Sequence, residues 1–205
     1  YKIDIIFGIV PDEYTQGFEE NVDGWVFTGT WEWGAPSGIS PTPFEENSVA
    51  GTVLDGPYDF YADDWMITPP IDLRDTSLPT ASLRFHHWYS IEPTHDSGYV
   101  LVSNDYGETW TQVGADVRGS SNGWMERVVE LGDYIGSPNP VFVAFRFTSN
   151  GFENWEGWYI DNVRLMGPDS EPPATPVDLT CEHGLTGVKL SWRAVSDPDL
   201  SHYNI

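Results

Sequence analysis

The chain cannot staple itself internally. Cys181 is the single cysteine among 205 residues, and a disulfide needs two. Cations are almost as scarce: nine Lys and Arg face 32 Asp and Glu, a formal net charge of −23. Phosphate backbones and anionic lipid repel such a polyanion, so neither nucleic acid nor a membrane surface is expected as a partner. No apolar run approaches the ~18 residues of a spanning helix, and no membrane insertion is expected. The longest runs are 5–10 and 141–145. Catalytic signatures are missing too: there is no H-E-x-x-H, no G-x-S-x-G, no P-loop and no EF-hand spacing. The first residue is Tyr1 rather than Met and no signal peptide precedes it, so the expectation is a piece cut or processed from something longer.

Aromatic residues and turn formers are what the chain has in quantity. Ten Trp, ten Tyr and ten Phe can fill a large core, and they favour strands. Twenty Gly and 16 Pro make turns frequent. Residues 82–90 (SLRFHHWYS) alternate, with Leu83, Phe85, His87 and Tyr89 on one face and Arg84, His86 and Trp88 on the other. Segments 97–104 and 141–149 read as strands by their β-branched and aromatic content. Further strands are expected at 25–33, 64–68, 126–131 and 158–165, separated by Pro- and Gly-rich turns. No helical period exceeds about two turns. The fold class is therefore all-β, an antiparallel β-sandwich of jelly-roll type.

The composition breaks after Met166. Residues 168–176 (PDSEPPATP) form a stiff Pro-rich linker. Beyond it, Val177-Asp178-Leu179, Val188 to Trp192 and Asp197 to Leu200 resemble the opening of a fibronectin type III domain, with Tyr203 to Ile205 starting its third strand. The expected organisation is a lead-in segment at 1–16, a sandwich at 17–167, the linker at 168–176 and a partial fibronectin type III-like domain at 177–205. Three strands cannot close a sandwich. Their open edges suggest pairing of 177–205 with neighbouring copies.

The main block carries Gly17 to Glu20 (GFEE), Trp31 to Gly34 (WEWG), Ala62-Asp63-Asp64, Thr68 to Leu73 (TPPIDL), Leu83 to Tyr89 (LRFHHWY) and Gly157 to Val163 (GWYIDNV). In this order the motifs resemble the MAM-like jelly roll found C-terminal to secreted bacterial peptidases of the immune inhibitor A type. The resemblance implies an accessory domain of a secreted or cell-surface protein rather than an enzyme.

Residues 103–110 (SNDYGETW) resemble the Asp-box of sialidases. Asp105 can accept backbone N–H groups across the turn, Gly107 can supply a positive φ, and Thr109 with Trp110 can fix the register. One copy in a chain with seven Arg reads as a structural hairpin rather than a sialidase site.

Calcium is the expected cofactor. Along 158–165 the apolar positions slip by one residue, from Trp158 and Ile160 to Val163 and Leu165, which implies a β-bulge at Asp161-Asn162. By the family resemblance, Glu19 and Asp161 meet at neighbouring chain ends, with Glu46, Asn47 and backbone carbonyls completing an oxygen site. Asp63, Asp64, Glu92, Asp96 and Glu156 are a second, weaker candidate cluster. His86 and His87 are adjacent on a strand and point to opposite faces, so a shared zinc ion is not expected. Trp31 and Trp33, at i and i+2, share a face; with Trp155 they could form a sugar-stacking platform, and the competing reading is inter-sheet core. The expected function is a non-catalytic, calcium-stabilised accessory or adhesion domain. Its partners would be the rest of the parent chain and a glycan or extracellular protein. The alternatives are a carbohydrate-binding module, a subunit of an extracellular assembly and a glycosidase.

Overall fold

A computed structural model describes residues 8–12, 14–167, 177–184 and 187–193. The chain divides into two compact units, Tyr1–Pro168 and Asp169–Ile205. Among the described residues no helix is long and apolar enough to cross a membrane.

The first unit is a sandwich of two antiparallel sheets. Its strands are β1 (Tyr14–Gln16), β2 (Val26–Phe27), β3 (Glu32–Gly34), β4 (Val49–Gly51), β5 (Asp63–Ile67), β6 (Ser82–Ile91), β7 (Ser97–Ser103), β8 (Thr111–Gln112), β9 (Gly119–Ser120), β10 (Met125–Glu130), β11 (Phe142–Thr148) and β12 (Gly157–Met166). The seven-stranded sheet runs β10-β6-β12-β4-β3, with β1 on β12 and β9 on β6; the five-stranded sheet runs β2-β5-β11-β7-β8. The long strands are those with the strongest β-branched and aromatic patterns, and they lie at the sheet centres. Strands of two or three residues lie at or near the rims.

The core fills the space between the sheets. Phe85 from β6, Phe145 from β11 and Trp158 from β12 meet edge to face, with centroids 4.9 and 5.8 Å apart. Trp31 packs against Trp158 at 5.8 Å and Trp25 against Phe145 at 6.5 Å. A second, smaller cluster forms on the outer face of the seven-stranded sheet. There Val49, Leu54 and Tyr159 are buried, with Trp88 and Trp124 packed on them. Segment 37–48 lies over this face: Ser40 Oγ is 2.8 Å from the Tyr159 hydroxyl, Phe44 stacks on His86 with centroids 3.6 Å apart, and Trp124 Nε1 donates to the Thr42 carbonyl.

The single strand expected over 25–33 is two. β2 pairs with β5 in one sheet and β3 pairs with β4 in the other. The chain changes sheets at Thr28–Thr30, where Gly29 takes a φ of +59°. A Cβ there would lie 1.8 Å from an Asp64 carboxylate oxygen, so the corner requires glycine.

The bulge expected in the last strand is present. The register of β12 against β6 shifts between Asp161 and Arg164, and Asn162 has a φ of +49°. Trp158, Ile160, Val163 and Leu165 all reach the inter-sheet core, while Tyr159 lies in the cluster on the outer face.

In the second unit, β13 (Val177–Gly184) and β14 (Gly187–Arg193) pair antiparallel with a register shift between Val177 and Thr180. The linker at 168–176, the Asp197–Leu200 motif and the third-strand start at 203–205 lie outside the described residues, as do residues 1–7 of the lead-in.

Candidate functional site

Glu19 and Asp161 hold the same loop, each by its own hydrogen bonds to the backbone. Glu19 Oε1 accepts the backbone N–H groups of Asn47 (2.9 Å) and Ser48 (2.7 Å). Asp161 is fully buried; its Oδ2 accepts the N–H groups of Phe44 and Glu45, both at 3.0 Å, and its Oδ1 accepts that of Asn162 at 2.6 Å. Burial pushes the Asp161 carboxyl up to about 6 even against these three N–H bonds. Two acids from opposite ends of the sandwich sequence therefore tie segment 44–48 to the sheet.

Beside them lies an open cleft lined by Glu19, Glu20, Glu45, Glu46, Asn162 and Arg164 among others. Arg164 hydrogen-bonds Asn162 Oδ1 and lies 3.6 Å from Glu45, whose oxygen also takes the Asn162 amide. The oxygen-rich lining suits a hard cation. Convergence is another matter: among the described residues no three His, Cys, Asp or Glu side chains come together closely enough to hold a metal ion. Asp161, ringed by N–H donors, is placed as a loop anchor rather than as a ligand. A cation at this cleft would depend on the Glu19, Glu20 and Glu46 carboxylates and on backbone carbonyls.

The second acidic group is dispersed into separate tasks. Asp63 makes a bidentate pair with Arg146, at 2.7 and 2.8 Å. Asp64 Oδ2 clamps the sheet-changing corner through the Thr30 N–H (3.0 Å) and hydroxyl (2.8 Å). Glu92 caps the next turn by accepting the Thr94 and His95 N–H groups and the Thr94 hydroxyl, which hold its carboxyl down to about 2. Asp96, fully buried, accepts the Tyr58 hydroxyl at 2.6 Å and the Asn150 N–H at 2.8 Å. Glu156 accepts the Ser90 hydroxyl.

The histidines lie on opposite sides of β6, as the alternation requires. His87 is in the core, where its Nδ1 accepts the Trp158 indole N–H at 3.3 Å, and burial pushes its pKa down to about 3. His86 lies on the outer face beneath Phe44.

The proposed tryptophan platform does not assemble from its sequence members. Trp31 is core, 4% exposed, and its buried indole N–H has no partner among the described residues. Trp33 is 38% exposed, and Trp155 is partly buried against the core. Spacing i, i+2 failed because the chain turns through the sheet-changing corner just before β3, so Trp31 lies outside the strand that holds Trp33.

The Asp-box is a hairpin joining β7 to β8. Ser103 Oγ donates to Asp105 Oδ1 at 2.7 Å and accepts the Gly107 N–H at 3.0 Å, while the Thr109 N–H reaches Asp105 Oδ1 at 3.0 Å. The Thr109 hydroxyl, then the Thr109 N–H and the Ser103 hydroxyl, hold the Asp105 carboxyl down to about 2. The hairpin brings Trp110 against Trp65 on β5, with centroids 5.5 Å apart, and Arg146 lies over the Trp65 ring at 5.1 Å. The result is a shallow apolar groove on the outer face of the five-stranded sheet, lined by Val26, Trp65, Ile67, Tyr106, Trp110 and Phe142 among others. Sequence reasoning missed it. Outward-facing Trp65 on a five-residue strand and the last residue of the Asp-box were the available signals.

No family model matches the chain. Curated proteins similar in sequence include a Bacillus peptidase and a Vibrio metalloprotease. Bacillopeptidase F of Bacillus subtilis is 36% identical over 155 residues, covering 74% of this chain and 10% of that protein. The chain is homologous to it. Pre-pro-metalloprotease PrtV of Vibrio cholerae serotype O1 is 29% identical over 104 residues, covering 45% of this chain and 11% of that protein. The chain thus spans about a tenth of the length of these relatives. Among solved structures, the K1 cleaved adhesin domain of Lys-gingipain from Porphyromonas gingivalis W83 aligns with a TM-score of 0.50 at 17% identity, over 74% of this chain and 96% of that domain. That likeness shows the β-sandwich fold.

Proposed function

We propose that the chain is a non-catalytic accessory domain of a larger secreted or cell-surface peptidase, MAM-like in type and continued by the start of a fibronectin type III-like module. The observation that carries this reading is its 36% identity to a tenth of a bacterial peptidase. The side chains support it. His87 is buried and neutral, and each acid of the second group is occupied by donors that hold turns, corners or the core. Those are scaffold tasks, and they fit a domain that displays a surface for the parent.

The purified chain, incubated with casein and with a panel of chromogenic glycosides, is expected to give no turnover above buffer. Turnover that co-purifies with the chain would overturn the reading. Calcium belongs to the same proposal: Glu19 and Glu46 line the cleft, and because no three carboxylates converge among the described residues an ion there would be held largely by backbone carbonyls.

A further inference from the structure

We infer that the groove between the Asp-box hairpin and β5 is a binding site for a neutral glycan. The inference rests on the accessory-domain reading and gives that domain a ligand class. Three aromatic rings of two elements converge there. Trp65 faces outward from β5, Trp110 returns from the hairpin to within 5.5 Å of it, and Tyr106 stands at the groove with 65% of its surface exposed. Val26, 48% exposed, continues the apolar surface on β2. A pyranose ring has an apolar C–H face that packs on aromatic surface, and hydroxyls at its rim that need donors and acceptors.

The polar partner is adjacent. Arg146, paired in register with Trp65 across β5 and β11, lies over the Trp65 ring and is locked by Asp63. Two of its N–H groups serve that pair, and the remaining guanidinium donors can meet hydroxyls.

Charge decides the ligand class. The residues lining the groove carry no ionised side chain, and Arg146 and Asp63 beside it pair with each other. An anionic glycan would meet the field of a chain of net charge −23 with no free cation to receive it. A cationic peptide would find no carboxylate among the lining residues to receive it. A neutral oligosaccharide meets neither obstacle.

The site is also preorganised, which lowers the cost of binding. Tyr106 has a φ of +62° and Gly107 one of +83°, a left-handed pair held by the Ser103–Asp105–Thr109 bonds. The positive φ of Gly107 is what calls for glycine there, since a Cβ would make only ordinary contact with the Trp110 ring. The Asp-box thereby sets one wall of a binding groove.

Affinity electrophoresis tests this with the full chain in gels containing xylan, galactan, mixed-linkage β-glucan or galactomannan. Polygalacturonate is the anionic comparison and gelatin the protein comparison. Retardation by at least one neutral polysaccharide is expected, with none by polygalacturonate or gelatin. Tyr106→Ala, at an exposed position that leaves the fold intact, and Trp65→Ala should each weaken retention about tenfold or more, roughly the loss of 1.4 kcal/mol. Trp33→Ala and Phe152→Ala, exposed aromatics elsewhere, should leave it unchanged. Free migration through every neutral polysaccharide, retention by gelatin alone, or retention indifferent to Tyr106→Ala and Trp65→Ala would each overturn the proposal. Those outcomes leave the accessory reading standing, because that reading fails only on turnover.

Discussion

Two buried titratable groups pull the stability of this domain in opposite directions as pH changes. His87 has its folded-state pKa pushed down to about 3 by burial, against an ordinary 6.5. Between those values the unfolded chain binds the extra proton, so His87's contribution is full above pH 6.5 and is lost as pH falls. Asp161 is raised by burial from 3.8 to about 6. There the folded chain holds the extra proton, and stability is lost as pH rises from about 4 through 6. The His87 departure is the larger, so the melting temperature is expected to rise from pH 4.5 to pH 7. His87→Gln keeps an acceptor for the Trp158 indole and removes the titration; the rise should flatten or reverse. Asp161→Asn should steepen it. Melts followed by circular dichroism across this range check both slopes, and a wild-type melting temperature that falls over the same range would contradict the His87 assignment.

At the level of strands, the last one organises both faces of its sheet. Trp158 and Tyr159 are neighbours on β12 and point to opposite sides, and each is met by a glycine. A Cβ on Gly98 of β7 would lie 2.5 Å from the Trp158 ring, and one on Gly51 of β4 would lie 2.7 Å from the Tyr159 ring. Neither glycine has a positive φ, so the requirement is space rather than backbone freedom. Gly98→Ala and Gly51→Ala are each expected to cost about 1–3 kcal/mol through overpacking. For a domain this size that lowers the melting temperature by roughly 2–10 °C. Unchanged melts would show that the rings move aside freely. This strand was also legible in the sequence: the slip from Trp158 and Ile160 to Val163 and Leu165 marked the bulge before any coordinates. The strands β6, β7 and β11 were legible for the same reason, since strict alternation or β-branched runs leave few other solutions. The change of sheet at Gly29 was not. Its clamp, Asp64, lies 34 residues from Thr30, and no local pattern announces a long-range hydrogen bond. The groove was missed in the same way, because Trp65 and Trp110 become neighbours only when the Asp-box hairpin folds back on the sheet.

For the whole molecule the governing quantity is charge. A net −23 on 205 residues repels itself, and the cleft beside segment 44–48 gathers Glu19, Glu20, Glu45 and Glu46 with Arg164 as the cation that lines it. Two kinds of relief are distinguishable. General screening depends on ionic strength alone, whereas a bound calcium ion stabilises by mass action, about 2.7 kcal/mol at a hundredfold excess over its dissociation constant. Melts in EDTA and in millimolar calcium, matched in ionic strength with NaCl, separate them. A specific site predicts a rise of roughly 5–10 °C in calcium. Glu19→Ala is a poor probe, because it also removes the acceptor for the Asn47 and Ser48 N–H groups and lowers the baseline. Glu19→Gln retains an amide oxygen for those two bonds and discards the charge. If calcium binds there, Glu19→Gln should melt close to wild type in EDTA and lose most of the calcium-dependent rise. An equal response to calcium and NaCl would assign the stabilisation to screening, and Glu19, like Asp161, would then serve to hold the loop on the sheet.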